Sequence, residues 1–160
     1  MEPGIKNITV SGSVNWYTDE FIYNSVVKFL KESGYKIQKD ANKESEKEER
    51  QITATKFFKK EVIEVKGIHS SQVQPHYITS KLANAKNSVS EGLLSSFINF
   101  SLSDNAEVAM AIPNISRYQS ILEKLYDYFT FNDLHFRVYL VNEDGTVVVS
   151  NLNQKHSKLS

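Results

Sequence analysis

The side chains best suited to chemistry lie together in one short run, Glu61-Val-Ile-Glu-Val-Lys66. Its β-branched residues read as a strand, and along a strand successive side chains point to opposite faces. Glu64 and Lys66 therefore share a face with Val62, while Ile63 and Val65 share the other. An acid and a lysine on a strand covered by helices are costly unless they are paired or used. The chemistry that suits them is metal-assisted hydrolysis of a phosphodiester. A carboxylate holds Mg²⁺ or Mn²⁺, which polarises the phosphate and lowers the pKa of a bound water. A lysine one step along orients that water or stabilises charge building on the phosphoryl oxygens. A single acid binds Mg²⁺ weakly, so a second is expected nearby. The competing reading is a solvated strand face carrying an ordinary surface ion pair.

The elements that must position this pair follow from periodicity. Ile22, Val26, Phe29 and Leu30 recur at helical spacing within Asp19–Ser33. Thr18 suits the N-cap, Asp19 and Glu20 suit the positive end of the dipole, and Gly34 suits the C-terminal cap. Tyr35–Gln38 reads as a short strand. Residues 39–50 contain no large apolar side chain, which predicts a mobile acidic loop. Ile52–Phe58 and Glu61–Lys66 form an expected antiparallel hairpin with Lys59-Lys60 as its tight connection, and Gly67 ends it. A polar stretch from Ile68 to His76 leads to a long helical pattern with Ile78, Leu82, Ala85, Val89, Leu93, Phe97 and Phe100 as its stripe. Glu107–Ile112 reads as a buried strand ending at Pro113. Ser116 is placed to cap a helix bearing Tyr118, Ile121, Leu122, Leu125 and Phe129. Phe136–Val141 and Thr146–Val149 flank an Asp144-Gly145 step, a hairpin signal. Strands interleaved with helices predict an α/β domain with one mixed sheet covered on both faces. The domain is expected over residues 19–152, after an extension at 1–18 and before a flexible tail at 153–160.

The totals agree with one domain: 160 residues, 40% hydrophobic and 24% charged. The absence of cysteine excludes disulfides, thiolate zinc sites and cysteine nucleophiles, and fits a reducing, cytoplasmic setting. No apolar run approaches the roughly 20 residues needed to cross a bilayer, and Met1-Glu-Pro-Gly-Ile-Lys6 does not read as a signal peptide. With 19 basic and 19 acidic residues, net charge is +0, so no general affinity for nucleic acid is advertised. A local basic face is compatible with that balance, because many acids are confined to Glu44–Glu49.

A helix, three strands with Glu-x-Lys on the third, a helix and a strand resemble the αβββαβ core of the PD-(D/E)XK nuclease superfamily, the restriction-endonuclease-like fold. Val62-Ile-Glu-Val-Lys-Gly67 is similar to the third-strand motif of its small members. Met110-Ala-Ile-Pro113 and Val138-Tyr-Leu-Val-Asn-Glu-Asp-Gly145 are also similar to members of this fold. The likeness of layout spans residues 19–149, with a further helix and a C-terminal β-hairpin beyond the core. The resemblance implies that Glu64 is the metal-binding acid and Lys66 the catalytic lysine. It places the usual aspartate of the second strand at Gln51, whose carbonyl oxygen is a weaker, uncharged ligand. Glu49 and Glu48 lie just upstream, and Asp40 further off. Glu20 matches an extra carboxylate supplied by the first helix in some members. The implied function is a Mg²⁺- or Mn²⁺-dependent endonuclease acting on DNA as a homodimer, so that both strands are cut. The alternative is a catalytically inactive nuclease-fold module that binds nucleic acid or a protein partner. A third reading is an immunity-type partner protein of unrelated α/β fold. It predicts solvent exposure for Glu64 and Lys66 rather than a shared pocket floor beside the first helix.

Minor candidates have ordinary explanations. Glu20 also serves as a helix-dipole acid and Gln51 as a strand-entry residue. His69 suits a loop, and His76, His135 and His156 show no metal-ligand spacing with it. Lys81 and Lys86 belong on a polar helix face or against a phosphate backbone, and Trp16 and Tyr17 pack locally or stack on bases.

Overall fold

The computed structural model describes residues 16–38, 51–67, 85–102 and 105–153. Helix α1 spans Asp19–Glu32 and buries Ile22, Val26 and Leu30, a stripe spaced by four. Thr18 caps it, its hydroxyl accepting the Phe21 N–H at 3.3 Å. Ser33 closes the helix, and Gly34 takes a left-handed φ of 85°, turning the chain into the short strand β1, Lys36–Gln38.

Strands β2 (Gln51–Lys56) and β3 (Lys59–Val65) form the expected hairpin, but with a different connection. Lys56 pairs with Lys59, so the turn is Phe57-Phe58 and not Lys59-Lys60. The β propensity of phenylalanine hides this turn, because propensity reports packing on a sheet and both rings here are exposed. Helix α2 (Ala85–Leu102) precedes β4 (Ala106–Pro113). Helix α3 (Ser116–Phe131) precedes β5 (Arg137–Val141), which turns back into β6 (Val147–Asn151).

The six strands lie in sequence order in one sheet. β3, β4 and β5 run parallel, and the remaining neighbours are antiparallel. The two parallel steps advance in the same direction, so right-handed crossovers set α2 and α3 on one face. α1 covers the other face through Ile52, Ile63, Val65, Ala109 and Tyr139. Met110, Ile112, Val138 and Leu140 carry the core beneath α2 and α3. The fold is thus α/β, with a mixed six-stranded sheet and helices on both faces.

Two helix expectations change in detail. α3 begins at Ser116 with Ile115 at the N-cap and no side-chain cap bond. The Asn114 side chain instead donates to Asn142 at 2.6 Å and accepts from Gln119 at 2.5 Å. On α2 the sheet-facing residues are Val89, Gly92 and Ser96, whereas Leu93 is half-buried and Phe97 and Phe100 are exposed. Small residues are needed there because a Cβ on Gly92 would come within 2.5 Å of Met110 Sδ. The Ser96 hydroxyl is buried as a donor shared between the carbonyls of Gly92 and Ala109.

The β5–β6 turn uses the Asp-Gly signal as expected: Gly145 has φ 81°. The Asp144 carboxylate accepts the Thr146 hydroxyl and N–H at 2.6 and 2.9 Å. These bonds hold its carboxyl below the usual range. The loop at 39–50, the segment from 68 to 84 and the tail after 153 lie outside the described residues. So do the expectations placed on Asp40, Glu48, Glu49, His69, His76, Ile78, Lys81, Leu82 and His156. Among the described residues, no helix is long and apolar enough to cross a membrane.

Candidate functional site

The strand alternation read from sequence holds in the structure. Ile63 and Val65 join the core under α1, and Glu64 lies on the opposite face, in register with Met110 of β4. Glu64 is 1% exposed, and its Oε1 lies 3.6 Å from Lys66 Nζ, whose side chain is 19% exposed. A solvated surface pair would leave both groups in water, and this pair is not of that kind. Its position also corrects the expected surroundings: the floor on which the two groups stand faces α2, not the packed face of α1. Gly92 of α2 sits over Lys66, with the position of a Cβ 3.4 Å from Lys66 Cγ.

Hairpin register brings in the next residue. Gln51 is the direct cross-strand partner of Glu64. Paired residues project to the same face, so Gln51, Glu64 and Lys66 share it. Glu20 is exposed on α1, which packs on the opposite face of the sheet. Its neighbour Asp19 is the carboxylate of α1 that reaches β3, accepting the Gly67 N–H on Oδ1 at 2.5 Å. Sequence reasoning gave Asp19 only a helix-dipole role. The missed signal is Gly67, where any Cβ would overlap the backbone of Tyr17, Thr18 and Asp19. A glycine ending a strand is thus the mark of a close approach.

α1 and α3 both begin at this end of the sheet, where Lys66 N–H also bonds the Ala111 carbonyl at 2.9 Å. Tyr118, in the first turn of α3, is 2% exposed. Burial pushes its phenol up and the Asp19 charge adds to the rise, against a side-chain bond with Ser88 that opposes it. Helix N-termini and strand C-termini together favour an anionic ligand such as a phosphate.

The donors on this face are of the oxygen kind that Mg²⁺ takes, but few. Glu64 offers one carboxylate and Gln51 one amide oxygen, and Mg²⁺ ordinarily keeps several waters and takes one or two carboxylates plus substrate phosphate. No group of three metal-ligating acids or histidines occurs among the described residues. Of the minor candidates, His135 bonds Asn153 at 2.6 Å and lies near Asp133. Trp16 and Tyr17 pack edge to face at 5.8 Å, and Lys86 is exposed on α2.

A second polar cluster escaped the sequence reading. Glu61, 3% exposed on the α1 face, accepts from Tyr139 Oη at 3.0 Å and from Arg137 at 3.0 Å. Arg137 also approaches Glu107 at 3.7 Å. Burial pushes the Glu61 carboxyl up despite these two partners, and burial with the Glu61 charge pushes the Tyr139 phenol up. The available signal was Glu61 sharing a face with Ile63 and Val65, which demands partners, and an Arg-x-Tyr pair on a later strand that can supply them. The cluster sits near the start of β3, with Glu61 three residues before Glu64 and five before Lys66, which lie on the other face. It binds three strands together and takes no part in the candidate site. Comparison with protein-family models, curated proteins and solved structures returned no match for this chain.

Proposed function

We propose that this chain is a metal-dependent endonuclease of the restriction-endonuclease-like fold, hydrolysing DNA phosphodiester bonds at the Glu64–Lys66 face. The observation that carries the reading is the burial of Glu64 with Lys66 Nζ 3.6 Å away, on a face that also holds Gln51. Keeping a carboxylate and an ammonium on a core strand costs stability that a purely structural role recovers poorly. The element order, the sheet of β1 to β4 and the helices on opposite faces also support the likeness of fold.

In this reading Glu64 and Gln51 would hold a Mg²⁺, which would supply charge to polarise the phosphate and acidify a water. Glu64 fixes the Lys66 side chain through their ion pair. Lys66 orients the attacking water and stabilises charge on the phosphoryl oxygens. The start of α3 favours the phosphate. Two copies cut both strands.

The absence of a second acid from the described part of the site favours one other reading: a nuclease-fold module that has lost its metal and binds nucleic acid or a protein. A cleavage assay separates the two. Wild type and Lys66→Ala are incubated with single-stranded, duplex and branched DNA and Mg²⁺ or Mn²⁺. The nuclease predicts metal-dependent cutting that falls at least about 10²-fold in the variant. Cutting retained by Lys66→Ala sinks the mechanism. No cutting by wild type, together with no Glu64-dependent Mn²⁺ binding by electron paramagnetic resonance, selects the inactive module.

A further inference from the structure

The two edges of the sheet are finished differently. β1 is three residues long and exposes Lys36 and Gln38, so it offers little to a further strand. β6 forms the other edge with Val147-Val-Val-Ser-Asn151, which holds no charged residue and no proline and keeps a one-to-one register with β5. The parity of that ladder is fixed at both ends. The Asn142 N–H bonds the Thr146 carbonyl at 2.9 Å, and the Leu152 N–H bonds the Phe136 carbonyl at 2.9 Å. Bonded and non-bonded pairs alternate along an antiparallel ladder, so Val148 and Ser150 direct their backbone groups to Leu140 and Val138. Val147, Val149 and Asn151 turn theirs outward. A row of N–H and C=O groups therefore lines an edge that no strand covers among the described residues.

We propose that the β6 edge binds an extended segment of a partner protein as a further strand, apolar at alternate positions and basic at the end that meets the β5–β6 turn. The backbone selects an extended chain, because outward groups two residues apart, about 7 Å, are matched by another strand. The side chains select its pattern. Val147 and Val149 lie on the α1 face, half-buried against the core beneath that helix. Cross-strand partners project to the same face, so the incoming residues opposite these two valines meet apolar surface. On the other face Ser150 is bonded to the Tyr126 hydroxyl at 2.9 Å, and Val148 is 46% exposed. Charge selects the flank. Glu143 and Asp144 are exposed at the turn, and neither forms an ion pair among the described residues. The bonds that Asp144 accepts come from the neutral Thr146, which leaves its charge in place. Area weighs against a second copy at this edge. A five-residue strand presents about 16 Å by 10 Å, roughly 160 Å², far short of the about 800 Å² that each partner of a stable interface contributes.

Strand capture does not depend on the reading of Glu64 and Lys66, and Lys66→Ala leaves it unchanged, so the two proposals fail separately. The probe is the acetylated and amidated peptide Thr-Val-Thr-Val-Thr-Lys, titrated into the ¹⁵N-labelled full chain. Without peptide, amide hydrogen exchange is expected to be fast at Val147, Val149 and Asn151 and slow at Val148 and Ser150. With peptide, the three outward amides become protected. Val149→Pro deletes one outward donor and spares the β5 ladder, which an edge strand tolerates. It should weaken peptide binding about tenfold with unchanged far-ultraviolet circular dichroism. Asn151→Pro serves the same purpose should the first variant fail to fold. The peptide ending in Glu should bind about threefold more weakly than the one ending in Lys, and Glu143→Lys should reverse that preference. A peptide that leaves the outward amides unprotected, or that binds V149P and N151P as tightly as wild type, overturns the proposal. Outward amides already slow in the chain alone overturn it too. Slow in the monomer, they mean that the chain covers its own edge; slow only as concentration rises, they assign the edge to a second copy.

Discussion

Gln51 is where the candidate site departs most from what phosphodiester hydrolysis wants. It stands directly across from Glu64, at a position from which a side chain reaches the same space. Its amide offers a neutral oxygen where a carboxylate would bring a full negative charge to a divalent cation. Glu64, almost wholly buried, is the only acid on that face among the described residues of β2 and β3. Gln51→Asp therefore supplies the missing charge without changing the strand. We expect the variant to bind Mn²⁺ at least about tenfold more tightly than wild type, by electron paramagnetic resonance titration, since one carboxylate–cation interaction exceeds 1.4 kcal/mol in a partly buried site. Glu64→Gln on the same background should cancel the gain. If Gln51→Asp leaves affinity unchanged, the two positions do not share a ligand, and the metal-dependent reading loses its site.

The joint between α1 and β3 decides whether that face is held in place. Gly67 lies so close to Tyr17, Thr18 and Asp19 that a methyl group cannot enter without pushing the helix off the strand. The listening side chain is Asp19, which takes the Gly67 N–H and lends its charge to the surroundings of Tyr118. Gly67→Ala should destabilise the protein by about 3 kcal/mol, the upper end for overpacking, because the obstruction is backbone and not a flexible side chain. Asp19→Asn, which keeps the shape and an acceptor oxygen, should cost only about 1 kcal/mol. Urea denaturation of the two variants measures both. Equal losses would mean that the hydrogen bond, and not the close approach, fixes the joint. Gly92 makes the corresponding approach on the other face, where its lack of a side chain admits Met110 between α2 and the sheet.

Across the whole molecule, what the sequence disclosed was what depends on local period. α1, the alternation that joins Glu64 to Lys66, and the Asp144-Gly145 turn each express a repeat or a turn rule confined to a few neighbours. What it hid depends mostly on contacts distant in the chain, such as the rotation of α2 that turns Phe97 outward; the Phe57-Phe58 turn is local but was masked by the β propensity of phenylalanine. The Glu61 cluster is the plainest case, since Arg137 and Tyr139 lie 76 and 78 residues away from the acid they bond. Its energetics are legible only once the strands are side by side. Removing Arg137 alone leaves a carboxyl that is 3% exposed with Tyr139 as its remaining hydrogen-bond donor in the cluster. Loss of one partner of a fully buried pair costs about 3–5 kcal/mol. Arg137 is 31% exposed, so water screens part of the interaction and about 2–3 kcal/mol is expected for Arg137→Met. Replacing the cluster as a unit, with E61L/R137M/Y139F, removes the charge and the groups that serve it together. That triple variant should recover most of the loss, as apolar substitutes for buried ion pairs commonly do. Chemical denaturation compares them. A triple variant no more stable than R137M would show that the cluster, by its geometry, does more than compensate for its own burial, and aligns β3, β4 and β5 in a way that apolar packing does not reproduce.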